Sequence, residues 1–147
     1  MHVKTEEAPK TAVLSVKLVE CLDWDCQDRP GEMLKYAEQF QIEGIDLDAF
    51  WAYTPRTETP KLAAIAKNAA NLRSALKRLG VTPRSSRCFT LCGKDRAGAL
   101  IPALKVLADA GVNVEFADAL AGLGTFTAAI WVKDADLGKA RKLLKAA

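Results

Sequence analysis

The stretch Asp28-Arg29-Pro30-Gly31 recurs 67 residues further along the chain as Asp95-Arg96-Ala97-Gly98. The same displacement superimposes residues of matching type or character on both sides of these stretches: Cys21 on Cys88, Met33 on Leu100, Phe40 on Leu107, and Gly44 on Gly111. It also places Ile45-Asp46-Leu47-Asp48 on Val112-Asn113-Val114-Glu115, which is conservative at every position. Because glycines, charges and apolar positions agree in order, the pattern indicates an internal duplication.

Later in each copy the displacement becomes 65 residues. It then aligns Ala63-Ala64-Ile65 with Ala128-Ala129-Ile130, and the leucines at 72 and 79 with those at 137 and 144. A length change of two residues in one connecting loop accounts for the shift. We therefore expect both copies to share one order of secondary-structure elements.

Each copy has the pattern strand, turn, helix, strand, hairpin, strand, helix, judged from apolar periodicity and turn residues. The strands are predicted at 17–25, 45–53 and 61–67 in the first copy, and at 87–92, 112–120 and 125–133 in the second. The first helix of each copy ends at a glycine suited to a left-handed C-terminal cap, Gly44 or Gly111. Basic amphipathic helices at 71–79 and 136–145 close the copies. Pro102 requires its helix to begin near Gly98 or with a kink. This order is the ferredoxin-like βαββαβ arrangement without its last strand.

The segments that supply the last strand of each copy determine the predicted domain organisation. Residues 81–87 supply the last strand of the first copy, whereas the second copy reaches Ala147 directly after its helix. Residues 11–16 occupy the matching place ahead of the first copy, and we predict that they close the second sheet. The expected organisation is a tail at 1–10, a first unit at 11–80 and a second unit at 81–147, with strands shared or exchanged. The fold class is α+β, with antiparallel sheets and helices on one face.

Composition excludes several classes of protein. Half of the residues are hydrophobic and the net charge is +3, so general disorder and a dedicated nucleic-acid binder are both disfavoured. The apolar stretches are too short to span a membrane, and residues 1–10 lack the apolar region of a secretory signal. We therefore expect a cytoplasmic protein that binds neither nucleic acid nor membrane.

The four cysteines carry no C-x-x-C motif, and in a cytoplasm they are expected to be reduced. A zinc site built from all four thiolates is the alternative, although its spacing is unusual. No metal and no cofactor are expected. The single histidine, His2, lies in the predicted tail, and no phosphate-binding glycine loop follows a strand, so catalysis is not expected.

The repeated D-R-P-G turn, the helix that follows it and the strand opening Ile45-Asp46-Leu47 resemble the ACT domain family, over about 11–147. The closest form is the free-standing protein with two ACT units. The resemblance implies a regulatory module that binds amino acids near the first strand-to-helix turn, with a polar residue from a paired unit. Carried onto this chain, the ligand-binding candidates are Asp28, Arg29, Pro30, Gly31 and Asp46, with Asp95, Arg96, Ala97, Gly98 and Asn113.

Physical chemistry supports a ligand at these turns, which we call the first turn (27–31) and the second turn (94–98). A helix N-terminus offers unpaired N–H groups and a positive dipole end to a carboxylate, and glycine permits close approach. Asp28 or Asp95 would pair with an ammonium group, and Arg29 or Arg96 with a second carboxylate. The competing interpretation makes Asp28 a helix N-cap and the arginines solvated. The aromatic residues Trp24, Phe50, Trp51 and Tyr53 are expected in the core or an interface rather than a pocket.

Two functions follow from these expectations. The first is a regulatory protein that binds a small molecule, most simply an amino acid, and acts through ligand-dependent assembly or contacts with another protein. The alternative is a ligand-free ACT pair that serves as an oligomerisation module. In both, we expect a homo-oligomer, a homodimer being the simplest.

Overall fold

A computed structural model, which describes residues 13–147, contains six strands and four α-helices in these residues. The strands are β1 (Val13–Asp25), β2 (Leu47–Tyr53), β3 (Lys61–Ala66), β4 (Arg84–Lys94), β5 (Val114–Gly122) and β6 (Thr125–Val132). The helices are α1 (Glu32–Ile42), α2 (Ala69–Arg78), α3 (Ile101–Asp109) and α4 (Leu137–Leu144), the last preceded by a 3-10 turn at Asp134–Asp136. The predicted fold class, ferredoxin-like α+β with antiparallel strand pairing, is confirmed.

The chain divides into two compact units. The first unit is Val19–Arg87, and the second unit combines Cys88–Ala147 with the described residues up to Leu18. The strand order is β2-β3-β1-β4-β6-β5, and both β1 and β4 contribute to each unit. The predicted tail at 1–10, and Thr11 and Ala12 of the segment expected to close the second sheet, lie outside the described residues.

The first unit has a core formed by alternate residues of β1 and β3 against α1 and α2. Leu22 and Trp24 pair with Ala64 and Leu62, respectively, in antiparallel register. Because successive side chains of a strand point to opposite faces, these four share one face. They pack with buried residues of the two helices: Tyr36, Phe40, Leu72, Ala75 and Leu76.

The second unit has a separate core. It is formed by residues of β4, α3, β6 and α4, among them Phe89, Leu91, Leu107, Ala128, Ile130, Ala140 and Leu144. Val16 and Leu18 of β1 pack against this core. Backbone hydrogen bonds join the same part of β1 to the C-terminus, since Ala147 N–H donates to Val16 O and Leu18 N–H donates to Ala147 O, both at 3.0 Å.

One predicted alignment between the copies is wrong by a residue. Leu22 lies opposite Ala64, and its counterpart Phe89 lies opposite Ile130, so the third strands correspond at a displacement of 66 rather than 65. A one-residue slip would turn each inward side chain to the other face of the sheet. Ala63-Ala64-Ile65 therefore does not correspond to Ala128-Ala129-Ile130.

The helix boundaries follow local backbone chemistry. Gly44 and Gly111, predicted to cap the first helix of each copy, both adopt positive φ, at 67° and 72°. The helix that contains Pro102 begins at Ile101, later than Gly98, and the proline lies in its first turn, where its missing N–H has no intrahelical partner to lose. Among the helices of residues 13–147, none is long and apolar enough to cross a membrane.

Candidate functional site

The first turn lies at one defined end of the sheet in the first unit. Asp25, the last residue of β1, pairs with Lys61, and the Cys26 N–H donates to Pro60 O at 2.9 Å. The chain then turns into α1 through Gly31, whose φ of 84° is left-handed and therefore costs glycine far less than other residues. Asp28, Arg29, Pro30 and Gly31 are all exposed here.

Asp28 is not the helix cap. Gly31 occupies the N-cap position of α1, and no side chain makes a capping hydrogen bond there. The competing interpretation of Asp28 as an N-cap is therefore wrong, and its carboxylate is exposed to solvent beside the start of the helix. Whether Asp28 contacts a ligand stays a prediction.

Glu32, the first residue of α1, is a part of this site that sequence reasoning missed. Its side chain is only 8% exposed and makes salt bridges to Arg29 Nε at 3.1 Å and Lys35 Nζ at 3.0 Å. Lys35 lowers the pKa of the Glu32 carboxyl most, with Arg29 and the Gln27 N–H adding to the effect against the opposing influence of burial.

An aromatic cluster lies within this part of the first unit. Trp24 is 1% exposed, and its ring centroid is 5.4 Å from that of Tyr36 and 6.1 Å from that of Phe40. Phe50 stacks against Trp24 at 6.4 Å. Trp24 and Phe50 thus pack in or against the core, as expected for aromatic residues in strands. Among the described residues, the Trp24 Nε1–H finds no hydrogen-bond partner, which is unusual for a buried donor.

Burial shifts the pKa values of two ionisable groups beside this aromatic cluster. Burial raises the pKa of the Cys26 thiol, and the nearby Glu32 carboxylate raises it further. Burial likewise raises the pKa of the Tyr36 hydroxyl. Cys26, Glu32 and Tyr36 therefore share one electrostatic environment at the base of the first turn.

The second turn has different chemistry. Asp95, Arg96, Ala97 and Gly98 are exposed, but the position that corresponds to Glu32 is Ala99. Hydrogen bonds within the turn use local N–H groups: Ala99 N–H donates to Arg96 O at 3.1 Å, and Ile101 N–H to Gly98 O at 3.0 Å. The second turn therefore carries no carboxylate at the place where the first turn has one buried.

Asp46 lies away from the first turn within its own unit. The register of β2 with β3 places Leu47 opposite Ala66 and Tyr53 opposite Lys61, so Asp46 is at the far end of β3 from the turn. Five residue steps along a strand span about 17 Å. Asp46 instead lies 3.6 Å from Lys67 Nζ, which also contacts Asp48 at 2.8 Å.

Asn113 has the same placement in the second unit. Lys94 pairs with Thr125, while Val114, which follows Asn113, pairs with Val132. The seven steps between Thr125 and Val132 span about 23 Å. That Asp46 or Asn113 shares a ligand site with one of the turns stays a prediction.

The four cysteines are free thiols that differ in accessibility. Cys21 and Cys88 are buried, Cys26 is half-buried and Cys92 is exposed. Burial raises the pKa of the Cys21 thiol to about 12, with a further contribution from Asp23. Within residues 13–147, no group of three or more histidine, cysteine or acidic side chains is arranged to hold a metal ion.

Comparisons with known proteins find similar solved structures but no matching family model and no matching curated sequence. Protein BT0572 from Bacteroides thetaiotaomicron has a similar structure, with a TM-score of 0.76 and 20% identity over 88% of each chain.

Two regulatory subunits of aspartate kinase are also similar. The subunit from Thermus thermophilus, in its ligand-free form, has a TM-score of 0.60 and 18% identity over 92% of this chain and 98% of that one. The subunit from Thermus flavus has a TM-score of 0.56 and 17% identity over 91% and 97%. At such identities the likeness establishes fold, and the chain has the ACT-like fold of aspartate kinase regulatory domains.

Proposed function

We propose that this chain is a regulatory protein that binds a small molecule, most simply an amino acid, and acts through ligand-dependent assembly or contacts with another protein. The observation that carries the proposal is the match in length and fold to an aspartate kinase regulatory subunit, which spans 92% of this chain and 98% of that one. We propose a cytoplasmic homo-oligomer without catalytic activity of its own.

The turns offer the chemistry that a zwitterion needs. A ligand carboxylate would meet backbone N–H groups and the positive end of a helix dipole, and the glycines keep the approach open. Apart from its two chain neighbours, an added Cβ at Gly31 would meet no atom within 4 Å. The exposed carboxylate of Asp28 or Asp95 would pair with the ligand ammonium group. Asp46 or Asn113 would add the polar contact that the ACT resemblance implies.

A thermal-shift screen against the twenty amino acids, related acids and common nucleotides tests this proposal. A ligand present at one hundred times its Kd stabilises a protein by about 2.7 kcal/mol, a shift that such a screen detects readily. Asp28→Ala and Asp95→Ala identify the turn that binds, and Asp118→Ala on β5 is a matched exposed control. No shift with any ligand, while all variants remain folded, would contradict the proposal.

A specific observation favours the alternative, an oligomerisation module without a ligand. β5 is an edge strand, with Phe116 50% and Leu120 80% exposed, and the hairpin residue Leu123 is fully exposed. Open edges with apolar side chains pair readily with other strands, including those of a second copy. Light scattering of Leu120→Lys would test this function: a shift to the monomer at equal concentration supports it, and an unchanged mass argues against it.

A further inference from the structure

Glu32 is the one buried residue with a charged side chain among the described residues. A buried carboxylate requires partners, and Glu32 has two: the Arg29 guanidinium and the Lys35 ammonium. Arg29 belongs to the first turn itself. A carboxylate of the chain therefore already pairs with the arginine that would hold a ligand carboxylate at this turn.

The two turns differ at this position while their backbones agree. Gly31 and Gly98 both have positive φ, 84° and 74°, and the residue that follows each is buried at 7% exposure. That residue is Glu32 in the first unit and Ala99 in the second. Three residues further on, Lys35 corresponds to Pro102, so the cation that holds Glu32 is also missing from the second unit.

Glu32 has an advantage over a free anion in binding the Arg29 guanidinium and the Lys35 ammonium. Glu32 is held beside its donors by its own helix, so it competes at a high effective concentration. A second carboxylate beside it would also place two like charges together in a partly desolvated site, which is unfavourable. With Glu32 removed, both cations would be free to bind an added carboxylate.

We propose that Glu32 is a built-in carboxylate that neutralises Arg29 and Lys35 and thereby weakens the binding of ligand carboxylates at the first turn. This inference refines the proposed function by stating which ligands the first turn rejects. At the first turn, the exposed Asp28 remains available to a cationic ligand group. A ligand carboxylate would instead be recognised at the second turn, which has Ala99 in place of Glu32.

Rescue by a small anion tests the proposal independently of any amino-acid ligand. Glu32→Ala copies the alanine of the second unit and leaves space for acetate. The matched control is Glu43→Ala at the other end of α1, because Glu43 also forms a salt bridge, to Arg78 at 2.6 Å, and is largely buried, but lies away from the helix N-terminus. Melting temperatures are measured in sodium acetate against sodium chloride at equal ionic strength.

The expected result is a rise of about 3–6 °C for Glu32→Ala at ten times the acetate Kd, with no comparable rise for Glu43→Ala or the wild type. Equal responses of the two variants would overturn the proposal. A second measurement needs no variant: amide resonances of Gln27 and Gly31 in the wild-type protein should not move with acetate. Saturable movement of those resonances would also overturn it. Failure of the amino-acid screen alters neither readout.

Discussion

Leu18 and Leu22 are two leucines on one face of β1 that contribute to different cores. Leu22 is completely buried in the core of the first unit. Leu18 is half-buried and packs against the core of the second unit. Substitution of either by alanine removes the same atoms, so a difference in outcome reports the surroundings alone.

The structure gives an expected size for each effect. Leu22→Ala should lower the free energy of unfolding by about 3–5 kcal/mol, because a fully buried leucine leaves a cavity as well as losing its transfer energy. Leu18→Ala should cost about 1–2 kcal/mol, since part of its side chain is already in contact with water. Leu34→Ala, a leucine that is 60% exposed on α1, is a control expected to change stability by less than about 0.5 kcal/mol.

Urea denaturation measures these energies, and amide hydrogen exchange shows where protection is lost. Leu18→Ala should reduce protection most in β6 and α4, and Leu22→Ala most in β3 and α2. A larger loss in β3 than in β6 for Leu18→Ala would refute the assignment of this part of β1 to the second unit. An energetic cost no greater than that of Leu34→Ala would refute it as well.

Three further predictions concern the division of the chain, its backbone and its titration. Residues 81–147 expressed alone should not form a stable folded monomer, because they lack Val16 and Leu18; cooperative unfolding of this fragment as a monomer would contradict that. Gly31→Ala should cost about 1–2 kcal/mol for its positive φ, whereas Gly138→Ala within α4 should gain about 0.5 kcal/mol, both measured by urea denaturation. Because the folded pKa of Glu32 is lowered, its contribution is complete above about pH 4.3 and is lost as pH falls through the folded value. Glu32→Gln should therefore flatten the acid side of the stability profile, and an unchanged slope would count against the salt bridges.

Local patterns predicted the fold well. The turns, the glycines at 31, 98, 44 and 111, and the helices and strands between them are governed by residues close in sequence. The third strands show where such reasoning fails. Ala63-Ala64-Ile65 is identical to Ala128-Ala129-Ile130 at a displacement of 65, although the strand pairing of Leu22 with Ala64 and of Phe89 with Ile130 requires 66.

The candidate site was less predictable because its chemistry depends on burial. Glu32 is charged and directly follows the exposed first turn, so its sequence context suggests a solvated residue. One signal was present: Glu32, Tyr36 and Phe40 recur every four residues, and all three are buried on one side of α1. Asp28 was the more conspicuous carboxylate, although Gly31 rather than Asp28 occupies the N-cap position.

The shared strand β1 restricts how the length of this chain can change. Val16, Leu18, Leu22 and Trp24 are all at even positions, so one alternation of side chains serves two cores. An insertion or deletion of one residue between Leu18 and Leu22 would keep one pair facing its core and turn the other pair outward. We expect natural length variation to avoid this segment and to concentrate in loops such as 54–60. The strand that joins the two units thus makes their side-chain registers inseparable during evolution.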